Sequence, residues 1–565
     1  MSLKNKSQRA TKLSLLFLAA VLLLTACSKG REGSASSGTS ASVPPSSSAP
    51  ASASASETVP EAPVPGGTLS YGLASSPDSL DPHVSGLDVA SRVMRNLYDS
   101  LVSLTPDNRI EPWLATEWSL SPDNKSYTFK LRQDIKFHDG TPFDAEAVKY
   151  NFDRIVDPDT EASIALSYLS LYESSEVLDP YTLRIHLKNV SASFLRDLSL
   201  PSLGIESPAA IRKHGKQVGR HPVGTGPFRF VKWDENSAIE LERNPDYAWA
   251  PGFHSNPGQP YLERVVFRII PEEATRIASL QSGQVHAIEG IPPQNVAALK
   301  NDPAYTLTEQ DSLGLPFSLF INERTPPWNE LKARQALRLA IDFDSIVQSL
   351  YLGTYKRAWS PLTPSTFGYD SSLENAFAPD PEQAAKLLDE LGWKPGADGI
   401  REKDGNILTL RYVESLPNRE KRNEIAAIIQ QQLKAIGVSV EVNLTQDVST
   451  VVLIDKAYDL FGSSNAALDP NSLKTFYHTD GLTGWPSLSG FDDPDLDRLL
   501  EQGEVELNDA KREEIYKEIQ RKIIDNAVVL PLYVHPFTVA SSAQVRGLAF
   551  NALGYPLLNE AFLGK

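Results

Sequence analysis

The 565-residue chain contains one cysteine, Cys27, and two methionines. A single thiol excludes an internal disulfide, so stability must come from burial, and it removes the thiolate-rich zinc sites. After Leu24 no uninterrupted apolar run approaches the roughly 18 residues that span a bilayer. None of the nine histidines falls in a His-Glu-x-x-His or close His-x-His pair, and no serine sits in a Gly-x-Ser-x-Gly elbow. Gly224-Thr225-Gly226 is followed by no Gly-Lys-Ser/Thr, so there is no phosphate loop. Cations are also short. Lys and Arg total 54 against 71 Asp and Glu, a net charge of -17 that argues against nucleic acid and anionic lipid surfaces.

What is present begins at the N-terminus. Lys4, Lys6, Arg9 and Lys12 precede an apolar stretch from Leu13 to Leu24, with no acid before Cys27. A basic start, about a dozen apolar residues and then small ones is a secretory signal rather than a membrane span. Leu24-Thr25-Ala26-Cys27 resembles the lipobox of bacterial lipoproteins. That resemblance implies a signal peptide over 1–26 and lipidation of Cys27, which places the chain on the outer face of the cytoplasmic membrane. Cleavage there removes the four cations and moves the net charge to -21. Residues 27–65 are almost wholly Ser, Ala, Gly, Thr and Pro, a composition that cannot bury enough surface to order itself. As a coil, Ser28 to Pro65 spans about 31–37 Å, which makes it a spacer.

Folded sequence starts at Gly66-Gly67. Strands are expected at Thr68–Tyr71, Tyr181–Leu187 and Val438–Leu444 from period-two alternation, and a more deeply buried one over Arg264–Ile270. Helices alternate with them. Ala333, Ala336, Leu337, Ala340 and Ile341 share one helical face, Asp380 and Pro381 open a second helix, and Ile425 to Ile436 make a third that stops at Gly437. The succession is α/β.

Several blocks, taken in order, carry a resemblance to a family. They include Asn96-Leu97-Tyr98-Asp99-Ser100-Leu101, Lys136-Phe137-His138-Asp139-Gly140-Thr141-Pro142-Phe143, Pro222-Val223-Gly224-Thr225-Gly226-Pro227-Phe228 and Asn244-Pro245-Asp246-Tyr247. Ala340-Ile341-Asp342 and Gly392-Trp393 follow. The chain from Gly66 onward resembles the extracellular solute-binding proteins of ABC importers, family 5, the peptide/nickel-binding class. The resemblance implies a bilobal periplasmic-binding-protein-like fold of type II, in the large class with an extra domain inserted in lobe I. Lobe I is expected over 66–110, 223–314 and 531–565, the inserted domain over 111–222 and lobe II over 315–530. The implied partners are a peptide or other small organic solute held between the lobes, and ABC permease subunits with a separate ATPase. A monomer is expected, with no cofactor, no metal and no catalytic residue. A metal-chelate receptor and a peptide-sensing surface protein are the alternatives.

Most motifs have structural readings. Asp139-Gly140 is expected as a turn, with Asp144 capping a helix from Ala145, and Gly224-Thr225-Gly226 as a tight crossing that exploits glycine dihedrals. Specificity is expected in the loop Gly462, Ser463, Ser464, Asn465, Ala466 before Asp469-Pro470. In di- and oligopeptide receptors of the family this loop carries a tryptophan and an aspartate for the peptide ammonium. Here those positions read Ser463 and Ala466, which implies a longer, blocked or non-peptide ligand rather than a free-amine dipeptide. Asn471 stands where nickel-binding relatives carry histidine, and Asp469 is expected to shape the turn. Ser75, Ser76, Pro77 and Leu80 resemble the family's first ligand-side loop, and Asn322 is expected where the chain crosses into lobe II. Trp359 and Tyr355 are candidate aromatic walls, with Tyr477 and Trp485 behind them.

Overall fold

The computed structural model describes residues 62–106, 109–162, 164–480 and 487–564. Cys27, the signal segment, the spacer up to residue 61 and Trp485 lie outside them. Among the described residues no helix is long and apolar enough to cross a membrane.

Two large sheets organise the chain. The first has seven strands in the order Tyr305–Asp311, Pro536–Ser542, Ala287–Glu289, Thr68–Leu73, Arg264–Ile269, Ala238–Arg243 and Phe228–Asp234. Thr68–Leu73 runs parallel to both of its neighbours. Leu69, Tyr71, Leu73, Val265 and Phe267 pack beneath it with Val89, Val93 and Met94 of the helix Asp88–Met94. Arg264–Ile269 alternates exposed and buried residues instead of being buried throughout, because Arg264 and Arg268 face outward. The second sheet orders Lys356–Arg357, Val529–Val534, Gly314–Ile321, Leu460–Ala466, Thr409–Ser415 and Ser439–Thr445. Ser439–Thr445 is its edge strand, so the alternation seen in sequence buries Val440 but leaves Leu444 exposed.

A third, four-stranded antiparallel sheet orders Ala115–Leu120, Ser126–Leu131, Thr182–Leu187 and Tyr172–Asp179. Its core takes Phe129, Leu183 and Ile185 together with Phe152 of the helix Ala145–Val156. Asp144 caps that helix, accepting from the Ala147 N–H at 2.9 Å. Leu101, Val102, Tyr247 and Trp249 join the same core. The edges expected at 110/111 and 222/223 therefore cut through a body that borrows residues from both flanks.

The chain passes between the two large sheets twice among the described residues, at Asp311–Gly314 and at Val534–Pro536. On one side Tyr305–Asp311 pairs with Pro536–Ser542; on the other Gly314–Ile321 pairs with Val529–Val534. The two crossings are hydrogen-bonded to one another, the Ser312 N–H donating to the His535 carbonyl at 3.1 Å. Val529–Val534 belongs to the second sheet, so the boundary expected at 530/531 moves past Val534. Asn322 is not at a crossing. It follows the far end of Gly314–Ile321, about 26 Å of strand from Gly314. There its side chain is fully buried and donates to the Tyr458 carbonyl at 2.8 Å.

Gly224-Thr225-Gly226, expected as a crossing between lobes, instead leads into Phe228–Asp234 of the first sheet; it packs tightly, but not through unusual dihedrals, because neither glycine has positive φ. A Cβ on Gly224 would stand 2.1 Å from the Leu97 carbonyl oxygen, and one on Gly226 2.7 Å from it. His138 threads this segment, receiving the Gly224 N–H at Nδ1 (3.3 Å) and bonding the Gly226 carbonyl through Nε2 (2.9 Å). Burial pushes it down to about 4, so it is a neutral strut. Gly224→Ala is expected to cost about 3 kcal/mol or more, because the obstructing atoms are backbone. A urea unfolding midpoint within error of the parent would refute this account of the segment.

Candidate functional site

The residues at the two crossings gather charge from both sheets. His535, between Val534 and Pro536, bonds the Tyr355 hydroxyl through Nδ1 at 3.2 Å. It lies within electrostatic reach of Asp88 and Arg92 on the first-sheet side, and of Glu420 and Arg422 on the second. Burial lowers its pKa, the two guanidiniums add to the effect, and the two carboxylates oppose it. This junction is the candidate cleft.

On the first side, Arg92 Nη1 meets Glu289 Oε1 at 3.3 Å, and the same oxygen accepts the Ala74 N–H at 3.0 Å. Glu289 ends the strand Ala287–Glu289 and Ala74 follows Thr68–Leu73. Both therefore sit at the carboxyl ends of parallel strands, where open α/β sheets hold their ligands. The Tyr555 hydroxyl donates to Asp88 at 2.9 Å.

On the second side, Arg422 donates from Nη2 to Glu420 at 2.9 Å and stands 3.9 Å from Glu414. Its guanidinium lies 4.3 Å from the centroid of the Phe317 ring, a cation–π contact, and Nη2 is 3.4 Å from the Ser464 hydroxyl. Tyr533 donates its hydroxyl to the Glu420 carboxylate, and Tyr351 donates to the Glu420 carbonyl. The rings of Tyr351 and Tyr355 stack in parallel at 4.0 Å. Glu420 and Lys421 are consecutive non-glycine residues in the left-handed region, at φ 50° and 57°. Such strain, on the order of 1 kcal/mol or more for each, persists where the surroundings hold it in place. Here Tyr351, Tyr533 and Arg422 do so. Burial would raise the Glu420 carboxyl, but His535, Arg422 and the Tyr533 hydroxyl outweigh it and hold it at about 2. Glu414 is raised, because its burial outweighs Arg422.

The structure brings some of the expected residues to this junction and removes others. Ser75 is exposed and Ser76 half-buried on the loop after Ala74, while Pro77 is buried. Ser464 and Ala466 are exposed, Ser463 and Asn465 half-buried, along a strand whose Ala466 pairs with Gly314 at the crossing. Gly462 is packed rather than open, since a Cβ there would meet the Phe317 ring at 2.4 Å and Glu414 Oε2 at 2.5 Å. Leu80 is fully buried in the core of the first sheet and offers no wall. Trp359 stacks under Arg357 at 4.5 Å and lines a small cavity with Arg338, Phe343 and Phe377 of its own half. Tyr477 packs on Phe320 in the core. Asp469 accepts two bonds from Arg512, at 2.6 and 2.8 Å, and is a structural anion.

Arg92, Glu289, Glu420, Arg422, Tyr533 and His535 were not singled out from the sequence. They lie up to 443 residues apart; only Glu420 with Arg422 and Tyr533 with His535 are close in the chain, the first pair inside a charged stretch that reads as a solvated helix entrance. The arrangement offers opposite charges, hydroxyls and an aromatic platform, which suits recognition of a polar solute. Among the described residues no group of three or more His, Cys, Asp or Glu is placed to hold a metal ion.

Arg422→Gln leaves Glu414 and Glu420 without their cation and is expected to cost about 3 kcal/mol at neutral pH. The sign with pH follows from the lowered Glu420 value. Its stabilisation is full above the unfolded value of about 4.3 and is lost as pH falls through about 2. The variant should therefore lose less stability than the parent between pH 5 and 2 in denaturant titrations. A parallel loss would exclude the pair as the cause.

Comparison with known proteins agrees with this architecture. The family model for bacterial extracellular solute-binding proteins, family 5 Middle, matches residues 109–486. The glutathione-binding protein GsiB of Pectobacterium atrosepticum is 28% identical over 485 residues, covering 84% of this chain and 90% of its own. Among solved structures, NikA from Brucella suis in complex with Fe(III)-EDTA superposes with a TM-score of 0.78 at 27% identity, covering 88% of this chain and all of that one. The periplasmic binding protein DppA from Helicobacter pylori, in complex with the peptide STSA, gives 0.75 at 25% identity, over 89% and 99%. With the bilobal type II fold and the match over two thirds of its length, the chain belongs to family 5 of the bacterial extracellular solute-binding proteins, the binding components of ABC importers.

Proposed function

We propose that this chain is the lipid-anchored receptor of an ABC importer for peptides or peptide-like solutes, and that it performs no chemistry on its cargo. In this reading Cys27 carries the lipid on the outer face of the cytoplasmic membrane, the spacer lets the body reorient, and a permease with a separate ATPase takes the solute. The lobes follow the two large sheets and the inserted domain the four-stranded one. One observation carries the reading. Two adjacent strands are the covalent bridge between halves that both turn charged side chains toward His535. A pair of strands bends with little cost, and closing the halves over a solute excludes water from those charges. The relatives named as binding glutathione or a peptide support a peptide-like cargo.

The likeness to NikA with its iron chelate favours a second reading, a metal-chelate receptor, since a chelate brings its own metal ligands. Calorimetry decides between them. Saturable heat is expected with glutathione or a defined peptide pool; heat from metal–chelator complexes alone overturns the peptide reading.

The exposed position of Ala466 beside the crossing gives a sharper outcome. Ala466→Asp should tighten free-amine dipeptides about tenfold relative to their N-acetyl forms, because a nearby anion offsets the cost of burying an ammonium. An unchanged ratio removes Ala466 from the contact surface.

A further inference from the structure

A second contact joins the two halves and begins beside the crossing, at Leu313. The segment Ser191–Leu200 belongs to the four-stranded body, where Phe194 and Leu198 pack in its core. It reaches across to the second half. The Ala192 N–H donates to the Glu504 carbonyl at 2.8 Å, and Arg196 Nε stands 3.8 Å from Asp469. Arg196 and Arg512 both lie over the Phe367 ring, each at 5.7 Å. Beside them Leu104, Leu200, Leu313, Leu468 and Ala552 form a small apolar cluster drawn from both halves. Asp197 is buried in the middle of this contact, bonded by the Ser193 hydroxyl at 2.8 Å.

We infer that this contact is a latch that closes with the lobes, and that its closing transfers a proton from solvent to the Asp197 carboxylate. The charges around Asp197 give the direction. Asp469 faces it from the loop after Leu460–Ala466, Arg512 from the helix Asp509–Asp525, Arg196 from its own helix and Tyr168 from the helix Ile164–Tyr168. Asp469 and Arg512 belong to one half and remain paired whether or not the latch is made. Closing adds Arg196, which suits Asp469, and Asp197, which does not. Burial raises the Asp197 carboxyl well above its ordinary value and the Asp469 charge raises it further, while Ser193, Arg512 and Arg196 oppose this. With the latch open, Asp197 meets water and returns toward about 3.9. The closed form therefore binds one more proton across the interval between the two values. Lowering the pH within that interval favours closure, by up to about tenfold in the closed-to-open ratio per pH unit.

His535 works in the opposite sense, since burial lowers its pKa in the closed form. The test therefore compares variants at each pH rather than one protein across pH. The inference rests on the two-lobe reading, but the measurement uses no cargo, so it fails separately from the proposed transport role. The full chain carrying Cys27→Ser takes fluorophores at Val231→Cys and Leu444→Cys, exposed sites on outlying strands of the two sheets. The closed fraction is read by single-molecule energy transfer from pH 5 to 8. Asp197→Asn, isosteric and uncharged, should be more closed than the parent at pH 8, with the two converging toward pH 5. Arg196→Gln should open the molecule at every pH. Identical distributions for parent and Asp197→Asn across the range overturn the proton, and an Arg196→Gln protein as closed as the parent overturns the latch.

Discussion

The constraint on which the rest depends is the double crossing at Asp311–Gly314 and Val534–Pro536. Two antiparallel strands leave one sheet side by side and enter the other side by side. Because they travel together, they fix the register of the halves through one narrow bridge. Everything polar at the candidate cleft is placed by its distance from this bridge. His535 is in it, Tyr533 and Phe537 flank it, and Ala466 is paired to Gly314 at its edge.

Charge burial shows two different solutions in one molecule. Asp469 and Arg512 meet in bidentate geometry with both side chains nearly inaccessible. Arg422 instead is shared between Glu420 and Glu414 and rests on Phe317, so its site carries more anion than cation. A completed pair holds architecture together. A lopsided cluster beside a hinge is poised to respond when another charge arrives, because its local field is not already cancelled.

How much of this was legible in the sequence depended on the range of the interaction. Local rules held where the cause was local: Asp144 caps its helix, Asp380 accepts from the Gln383 N–H, and Ile425, Ile429 and Leu433 face the core. The ordered blocks from Asn96 onward carried the fold class. The failures came where a distant atom decided. Leu80 sits in a loop by sequence, yet the first sheet's core claims it. Gly224 and Gly462 are needed for what approaches them, the Leu97 carbonyl and the Phe317 ring, and neither neighbour is near in the chain. Asn322 was placed at the crossing by analogy, while the strand before it is long enough to carry it to the opposite end. The charged stretch at Glu420 gave no hint of function, because its role depends on Tyr533 and His535, more than a hundred residues later.

The loop at 462–466 shows why a single missing residue is a weak guide to specificity. From Ser463 and Ala466 alone, the loop has lost its anion and should prefer a longer, blocked or non-peptide ligand to a free-amine dipeptide. The structure supplies anions from elsewhere. Asp88 and Glu289 come from the first half and Glu414 and Glu420 from the second, against the guanidiniums of Arg92 and Arg422 and a His535 whose burial favours the neutral form. With Arg276, which bonds the Glu289 carbonyl at 2.8 Å, the count is four carboxylates to three guanidiniums when Glu414 is ionised. Charges gathered from both halves behind low-dielectric walls interact more strongly than they would in water. Loss of the loop aspartate therefore removes one anion from a junction that still holds four carboxylates.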